Sequence, residues 1–418
     1  MKNSITPVIT LDKMTARRFM LSHQGLLPPR RWQGSEGILE FIRRTGCIQF
    51  DPVNVVTRNP ELVLQARIAN YRPELLDDLL YKSRLLIDGF DKVSSIHLAA
   101  DWPAFTRYRK KLYRQFVNRW KELDAPFLEK MLDLVRERGP VSSLEFEKTV
   151  HTNGYWGTPM NIERLALEQL LAQGDILIHH RNGNRRYYEI TQRILPAELI
   201  AAPDPFASLE SYHDWHVLRR IGSAGIASPT ASEFWLGILE MKSSQRWESL
   251  KRLAAQGVVV PAAIEELPER IFFVRRSDWE RFKTEAEIKP GEAEAVILGP
   301  LDNLLWDREL LRMLFDFNYT WEVYKPKHLR TYGPYTLPVL MGDKFIARFD
   351  PKLDRTTKTL LIKAWWWEKD HALDETTATG LLRGFGKFAG SLGAERIQLD
   401  GAFGEGDPLR RLEVITPE

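Results

Sequence analysis

The stretch IERLALEQLLAQGDILIHHRNGNRRYYEI, residues 162–190, decides how this chain is read. Ile162 to Gln173 reads as a helix closed by Gly174. ILIHH and RRYYEI then read as two alternating strands joined by Arg181-Asn182-Gly183-Asn184, a hairpin signal. Upstream, FLEKMLDLVRER after Pro126 carries apolar residues at helical spacing and stops at Gly139-Pro140, and Ser142-Ser143 caps a short helix at LEFEKT. Three helices followed by a β-hairpin make a winged helix.

The same order of elements recurs on both sides. From Ser208 to Val274, DWHVLRRIGSA is followed by a helix start at Pro229-Thr230-Ala231-Ser232 and the helix SQRWESLKRLAAQ. Gly257 ends that helix, and VVVPA and RIFFVRR supply strands. At the N-terminus, helices at Leu11 to Gln24 and Ser35 to Thr45 run into the extended CIQFDPV. From about Glu292 the texture changes to strands and turns: AVILGPLDNLLWDR, LFDFNYTWEVY, YTLPVLMGDKFIARFD and TLLIKAWWWE, then a helix from about Glu375 to Leu392. The aromatics there, Trp365-Trp366-Trp367 included, read as core and sheet residues. The expected fold class is α+β: tandem winged-helix domains in a curved arrangement with a C-terminal antiparallel, barrel-like β unit. The expected domains are 1–122, 123–200 with the wing, 201–285, and the β-rich 286–418.

At 418 residues the chain exceeds one core. Hydrophobic content of 44% and charged content of 28% place it among soluble globular proteins, with no membrane partner expected. No run reaches transmembrane length and the first residues lack an apolar signal core, so we expect a cytoplasmic protein. The single cysteine, Cys47, rules out a disulfide framework or thiolate metal site and suits a reducing compartment. Nine histidines without HExxH-type spacing, and no GxGxxG or P-loop, give no support for a metal or a nucleotide, and no cofactor is expected. The net charge of +3 says little, but its distribution says more. Arg107, Arg109, Lys110, Lys111, Arg114, Arg119 and Lys121 cluster without an acid among Tyr108, Tyr113 and Trp120. Such a patch attracts phosphates or is a solvated helix face.

The chemistry-bearing segment is Gln49-Phe50-Asp51-Pro52-Val53, with Asn54 and Arg58 just beyond. A carboxylate and an amide two residues apart in an extended segment point the same way, so Gln49 and Asp51 can hold one small molecule between them. Ile48, Phe50 and Val53 anchor the segment in a core, where a charged Asp51 is costly without a task or a partner. A turn or N-cap carboxylate in front of Pro52 is the alternative use of the same residue.

Laid out in this way, the chain resembles the AlkZ/YcaQ family of DNA glycosylases along nearly its full length. The likeness is carried by HQGLL at 23–27, IQFDPVNVVTRNPELVLQARIANY at 48–71, RGPVSSLEFE at 138–147, AVILGPLDNLLWDR at 295–308, LFDFNYTWEVYKP, and RTYGPYTLPVL at 330–340. It is similar to the YcaQ type, with Gln-x-Asp, rather than the AlkZ type with Gln at both positions. The resemblance implies hydrolysis of the N-glycosidic bond of N7-alkylated purines in double-stranded DNA, including unhooking of interstrand crosslinks; separately, a monomer is expected. Asp51 is then the base and counter-charge, with Gln49 orienting the water. Asn54 and Arg58 would fix the segment or touch a phosphate.

The wing, with His179, His180, Arg181, Gly183, Asn184, Arg185 and Arg186, would probe the duplex, its arginines neutralising phosphates and its tip entering the minor groove. The alternative for the wing is packing on a neighbouring domain. In place of the family's Trp-x-His element the chain reads Asp88-Gly89-Phe90-Asp91-Lys92, with Phe90 and Lys92 at those places. That departure bears on substrate range, and a lysine there offers a nucleophilic alternative to water. The rival reading of the whole chain is a non-catalytic winged-helix DNA-binding protein.

Overall fold

A computed structural model describes residues 5–119, 123–146, 151–153, 159–285 and 294–415. The chain forms two compact units: Met1–Leu75, Asp91–Ser95 and His213–Glu418 make one, and Leu76–Phe90 and Ile96–Tyr212 the other.

The smaller unit contains residues 162–190, the expected helix and wing. The helix Ala125–Arg138 starts at Asp124, whose carboxylate accepts the Phe127 N–H at 2.9 Å, and ends at Gly139. The helix Ile162–Gln173 ends at Gly174, which is left-handed with φ +90 while the Asp175 N–H reaches back to the Leu170 carbonyl. A side chain at 174 would also meet Trp102 and Arg109, each 2.8 Å from its Cβ, so glycine is required twice over. The strands Ile176–Asn182 and Arg185–Ile190 pair antiparallel around Gly183-Asn184. Only Gly183 of the turn takes a positive φ (+59), the placing expected of a tight hairpin turn with glycine first. Leu128, Met131 and Val135 of the first helix, Leu165 and Leu170 of the second, and Ile176, Ile178 and Tyr188 of the hairpin form one core. Of the expected helix at LEFEKT, the described part is one 3₁₀ turn, Ser143–Glu145, closed by a Ser142/Glu145 capping box; residues 147–150 lie outside the described residues.

The helix Leu209–Ala224, which belongs to the larger unit from His213 on, and Ser243–Ala255, Val259–Ile264 and Phe272–Arg275 of that unit form as the sequence suggests. Two features differ. The expected helix start at Pro229–Ser232 leads only into a 3₁₀ turn, Glu233–Trp235, with the Ser232 hydroxyl accepting the Phe234 N–H. And Ile9–Leu11 is a strand, paired in parallel with Val259–Ile264 in a sheet that Phe272–Arg275 and Ile226–Ala227 continue. Three residues are too few to show a period of two, and their partner is some 250 residues away.

The C-terminal sheet runs in the order Ala295–Ile297, Leu337–Met341, Lys344–Asp354, Thr359–Trp367, Arg396–Leu399. Its two outer strands do not pair with each other, so it is an open half-barrel. The expectation of a purely antiparallel unit needs correction, because Arg396–Leu399 pairs in parallel with Thr359–Trp367. The helix Glu375–Ser391 between those two strands supplies the crossover a parallel pair needs. It lies so close to the first strand that a Cβ on Gly384 would fall 2.0 Å from the Ala295 carbonyl oxygen. LFDF is likewise not a strand: Arg308–Phe315 is a helix capped by Asp307 and stopped by Asp316 in the left-handed region. The tryptophans are sheet residues as expected, Trp365 against Phe349 and Phe385 and Trp366 against Tyr332. No helix of the described residues is long and apolar enough to cross a membrane.

Candidate active site

The strand Cys47–Gln49 leaves the helix Gly34–Thr45 through Gly46, whose φ of +88 makes the turn possible. Its backbone is then fixed from three directions. The Asn303 amide donates to the Cys47 carbonyl at 2.9 Å, the Asn59 amide donates to the Gln49 carbonyl at 2.8 Å, and the Phe50 N–H donates to the Ser94 carbonyl at 2.9 Å. Ile48 and Phe50 are buried, which holds the neighbouring Asp51 at the surface of the core rather than in open solvent.

Asp51 is half-buried, and one of its oxygens accepts the Val53 N–H at 2.8 Å, an Asx turn that spans Pro52. Among the described residues no hydrogen bond reaches its other oxygen. Desolvation raises the carboxyl above its usual range, opposed by the Val53 N–H. Asp51 opens onto a narrow cleft, too tight to hold a water-sized sphere, whose other walls are Val53, Asn59, Pro300, Leu301, Trp321 and Tyr335. Gln49 is not a lining residue. Its side-chain oxygen is buried without a hydrogen-bond partner, as is the Trp321 indole nitrogen.

The far wall is locked to the near one. Asn59, the first residue of the helix Asn59–Gln65, donates to Gln49 and accepts the Leu301 N–H at 3.1 Å. Gly299 must be glycine for this, since a Cβ there would stand 2.7 Å from the Asn59 oxygen. Behind it, Arg67 and Asp302 form a bidentate pair at 2.7 Å for both bonds, with both side chains at 0% exposure. Arg67 also donates to the Gln24 and Val63 carbonyls and the Gln24 side chain, and Asp302 caps the turn Asn303–Leu305. The Tyr335 hydroxyl is raised in pKa by burial and then by the charge of Asp51, and donates to Thr57 at 3.4 Å.

Of the neighbouring candidates, Asn54 accepts from the exposed Arg355 at 2.6 Å, and Arg58 is paired with Glu61. Lys92 is buried with its ammonium 5.2 Å from the Trp306 ring centroid, and is not a cleft residue. Burial, and then the charge of Arg220, lower its pKa to about 8.

On the hairpin of the smaller unit, Gly183, Asn184 and Arg185 are exposed. Arg181 is 3% exposed at the side chain and donates to Asp88 at 2.9 Å, and Arg186 is paired with both oxygens of Glu168 at 3.0 Å. His180 stacks on Tyr187 at 4.3 Å, and both His179 and His180 are lowered in pKa by desolvation and then by Arg84. In the basic cluster after Thr106, Arg107 pairs with Asp204 and Arg109 covers Trp102, while Lys110 and Arg114 are exposed; Trp120 and Lys121 lie outside the described residues.

Asn59, Leu301, Trp321 and Tyr335 were not singled out by the sequence reading. They meet Asp51 across as many as 284 residues, and no local pattern announces such a meeting. Their one signal is that all four fall in the segments that carried the family resemblance.

Asp51 thus stands half-buried two residues beyond the strand Cys47–Gln49, walled by aromatic, aliphatic and amide side chains. The family model for DNA glycosylases of the AlkZ-like kind matches residues 42–389, a span that takes in Asp51, the hairpin and every wall of the cleft. The chain belongs to the AlkZ-like DNA glycosylase family, and its enzyme class is DNA glycosylase, with DNA as substrate. Among solved structures, the DNA glycosylase AlkZ of Streptomyces sahachiroi shares the fold, with a TM-score of 0.58 over 94% of this chain and 100% of that one at 14% identity.

Proposed function

We propose that this glycosylase hydrolyses the N-glycosidic bond of N7-alkylated purines in duplex DNA and unhooks N7-linked interstrand crosslinks, with Asp51 as the catalytic carboxylate. N7-alkylation leaves the purine cationic, hence a good leaving group that needs no acid from the protein. What remains is to place water at C1′ and to stabilise an oxocarbenium-like sugar, and one carboxylate serves both ends as base and counter-charge. The observation that carries this reading is Asp51 itself: half-buried, raised in pKa, one oxygen held by the Val53 N–H and the cleft in front of it. A carboxylate so placed is a stronger base than one in water. Gln49 is assigned to orient the same water on its place in the Gln-x-Asp element alone, since its side-chain oxygen is buried and it does not line the cleft.

The elements before the half-barrel serve on this reading as tandem winged-helix units, at 1–122, 123–200 and 201–285, with the C-terminal unit at 286–418. Gly183-Asn184 is the groove-entering tip, Arg185 takes a phosphate, and Arg181 and Arg186, paired with Asp88 and Glu168, brace the hairpin. His180, stacked on Tyr187, and His179 beside it stiffen the hairpin behind that tip. Arg58 anchors its own segment through Glu61, while Asn54 steadies Arg355 for a phosphate contact. Because a crosslinked base cannot swing into a pocket, a shallow cleft suits this substrate better than a deep one.

The test is release of N7-methylguanine from a duplex by the parent protein and by Asp51→Asn. The substitution keeps the shape and the Val53 bond but removes the charge, and should lower the rate by ~10²–10⁴ with duplex affinity nearly intact. Release within a few-fold of the parent would make Asp51 a turn residue and end the assignment. Uracil, which leaves as a poor anion, should survive.

A further inference from the structure

The segment Trp321-Glu322-Val323-Tyr324-Lys325-Pro326-Lys327-His328-Leu329-Arg330 has no part in the chemistry above, yet its first residue is a wall of the Asp51 cleft. Three observations meet in it. Tyr324 is 75% exposed, the largest exposure of any aromatic residue described as surface-lying, and it packs edge-on against Trp321 with centroids 5.5 Å apart. Partial desolvation and then the charge of Asp51 raise its hydroxyl in pKa, which sets it within electrostatic reach of that carboxylate. Lys327, His328 and Leu329 are exposed on the turn that follows, and the only acid in the segment, Glu322, is buried.

The loop is also held rigid. One Glu322 oxygen accepts the N–H groups of both Thr331 and Tyr332 at 2.8 Å, and the other accepts from Lys325 at 2.9 Å. Arg330 closes it from inside, donating to the Lys325 carbonyl at 2.8 Å. An exposed tyrosine on a fixed loop loses little freedom on binding. Apolar exposure of this kind costs a free protein something, and a base stack recovers it.

We propose that this loop is a second duplex-engaging element: Tyr324 stacks on the base step beside the nucleotide held at Asp51, and Lys327 takes a neighbouring phosphate. The inference rests on Asp51 being the reacting centre. Base–aromatic stacking sets the expected size of the effect, since it tolerates any base and needs only a π-face. Tyr324→Ala should lower kcat/KM for N7-methylguanine release by roughly 5- to 150-fold, and Tyr324→Phe by less than about 3-fold. Lys327→Ala should lower the slope of log affinity against log salt by about 0.9.

A duplex carrying 2-aminopurine next to the N7-methylguanine separates this proposal from the assignment of Asp51. The fluorescence change on binding should be the same for the parent, Tyr324→Phe and Asp51→Asn, and should vanish for Tyr324→Ala, whose melting temperature stays that of the parent because the side chain is exposed. An Asp51→Asn protein that releases base normally would overturn the catalytic assignment while a lost signal in Tyr324→Ala still upheld the loop as a stacking element. A Tyr324→Ala protein with unchanged fluorescence response and unchanged kcat/KM overturns the proposal.

Discussion

Asp302→Ala tests how far the cleft depends on the pair behind it. The substitution leaves the Arg67 guanidinium buried at 0% exposure with both bonds to the carboxylate gone, though those to Gln24 and Val63 remain. Removing one partner of a buried pair typically costs ~3–5 kcal/mol. The same carboxylate caps the turn Asn303–Leu305, so about 1 kcal/mol more is lost there. At about 2 °C per kcal/mol for a unit of this size, the midpoint should fall by roughly 8–12 °C. Base release should fall as well, because Leu301, one residue away, is both a cleft wall and the partner of Asn59. Urea unfolding followed by circular dichroism gives the stability and N7-methylguanine release gives the activity. The double change Arg67→Met with Asp302→Leu should cost less than the two single changes added together, since no uncompensated charge is then left inside. A single-variant loss below about 1 kcal/mol would refute the view that this ion pair holds the loop.

Two further outcomes follow from the charges. Release should need ionised Asp51, whose pKa is raised by desolvation, so the acid limb of the rate profile should lie above the usual carboxylate range and disappear in Asp51→Asn. The folded state binds this proton more tightly than the unfolded state does, so ionisation of Asp51 works against folding as pH rises through the window between the ordinary and the raised value; Asp51→Asn should therefore be at least as stable as the parent at pH 7, by thermal melting. On the hairpin, Arg185→Ala should lower the salt slope of duplex binding by about 0.9, whereas Arg181→Ala should instead lower stability, because it strands Asp88 in a pair whose side chains are 3% and 5% exposed; an unchanged slope for Arg185→Ala would place the tip away from DNA.

What the sequence made legible was local. Ile162–Gln173 and the hairpin after it could be read because glycines at 174 and 183 mark positions that need a left-handed backbone. Ile9–Leu11 and Arg396–Leu399 escaped because each is three or four residues long and each pairs in parallel, which leaves no hairpin signal between partners. LFDF looked like a strand because its aromatics outweigh the capping aspartates at 307 and 316 that make Arg308–Phe315 a helix. Charge was legible as composition and not as placement. Arg67 and Asp302 sit 235 positions apart, and nothing near either one hints that they meet, nor that Arg181 is turned inward toward Asp88.

The larger unit is interrupted: its residues up to Leu75 must wait for those after His213, and the smaller unit is made in between. The carboxylate at 51 leaves the ribosome well before Leu301, Trp321 and Tyr335 exist to wall it. At synthesis rates of roughly 5–20 residues per second, the interval to residue 335 is on the order of 15 to 60 seconds. During that time the N-terminal helices carry apolar faces with no partner sheet, and Ile9–Leu11 is an unpaired strand edge. The cleft is thus assembled last, from pieces made first and last, and yield of active protein should respond to chaperone supply more sharply than the equilibrium stability of the finished fold would suggest.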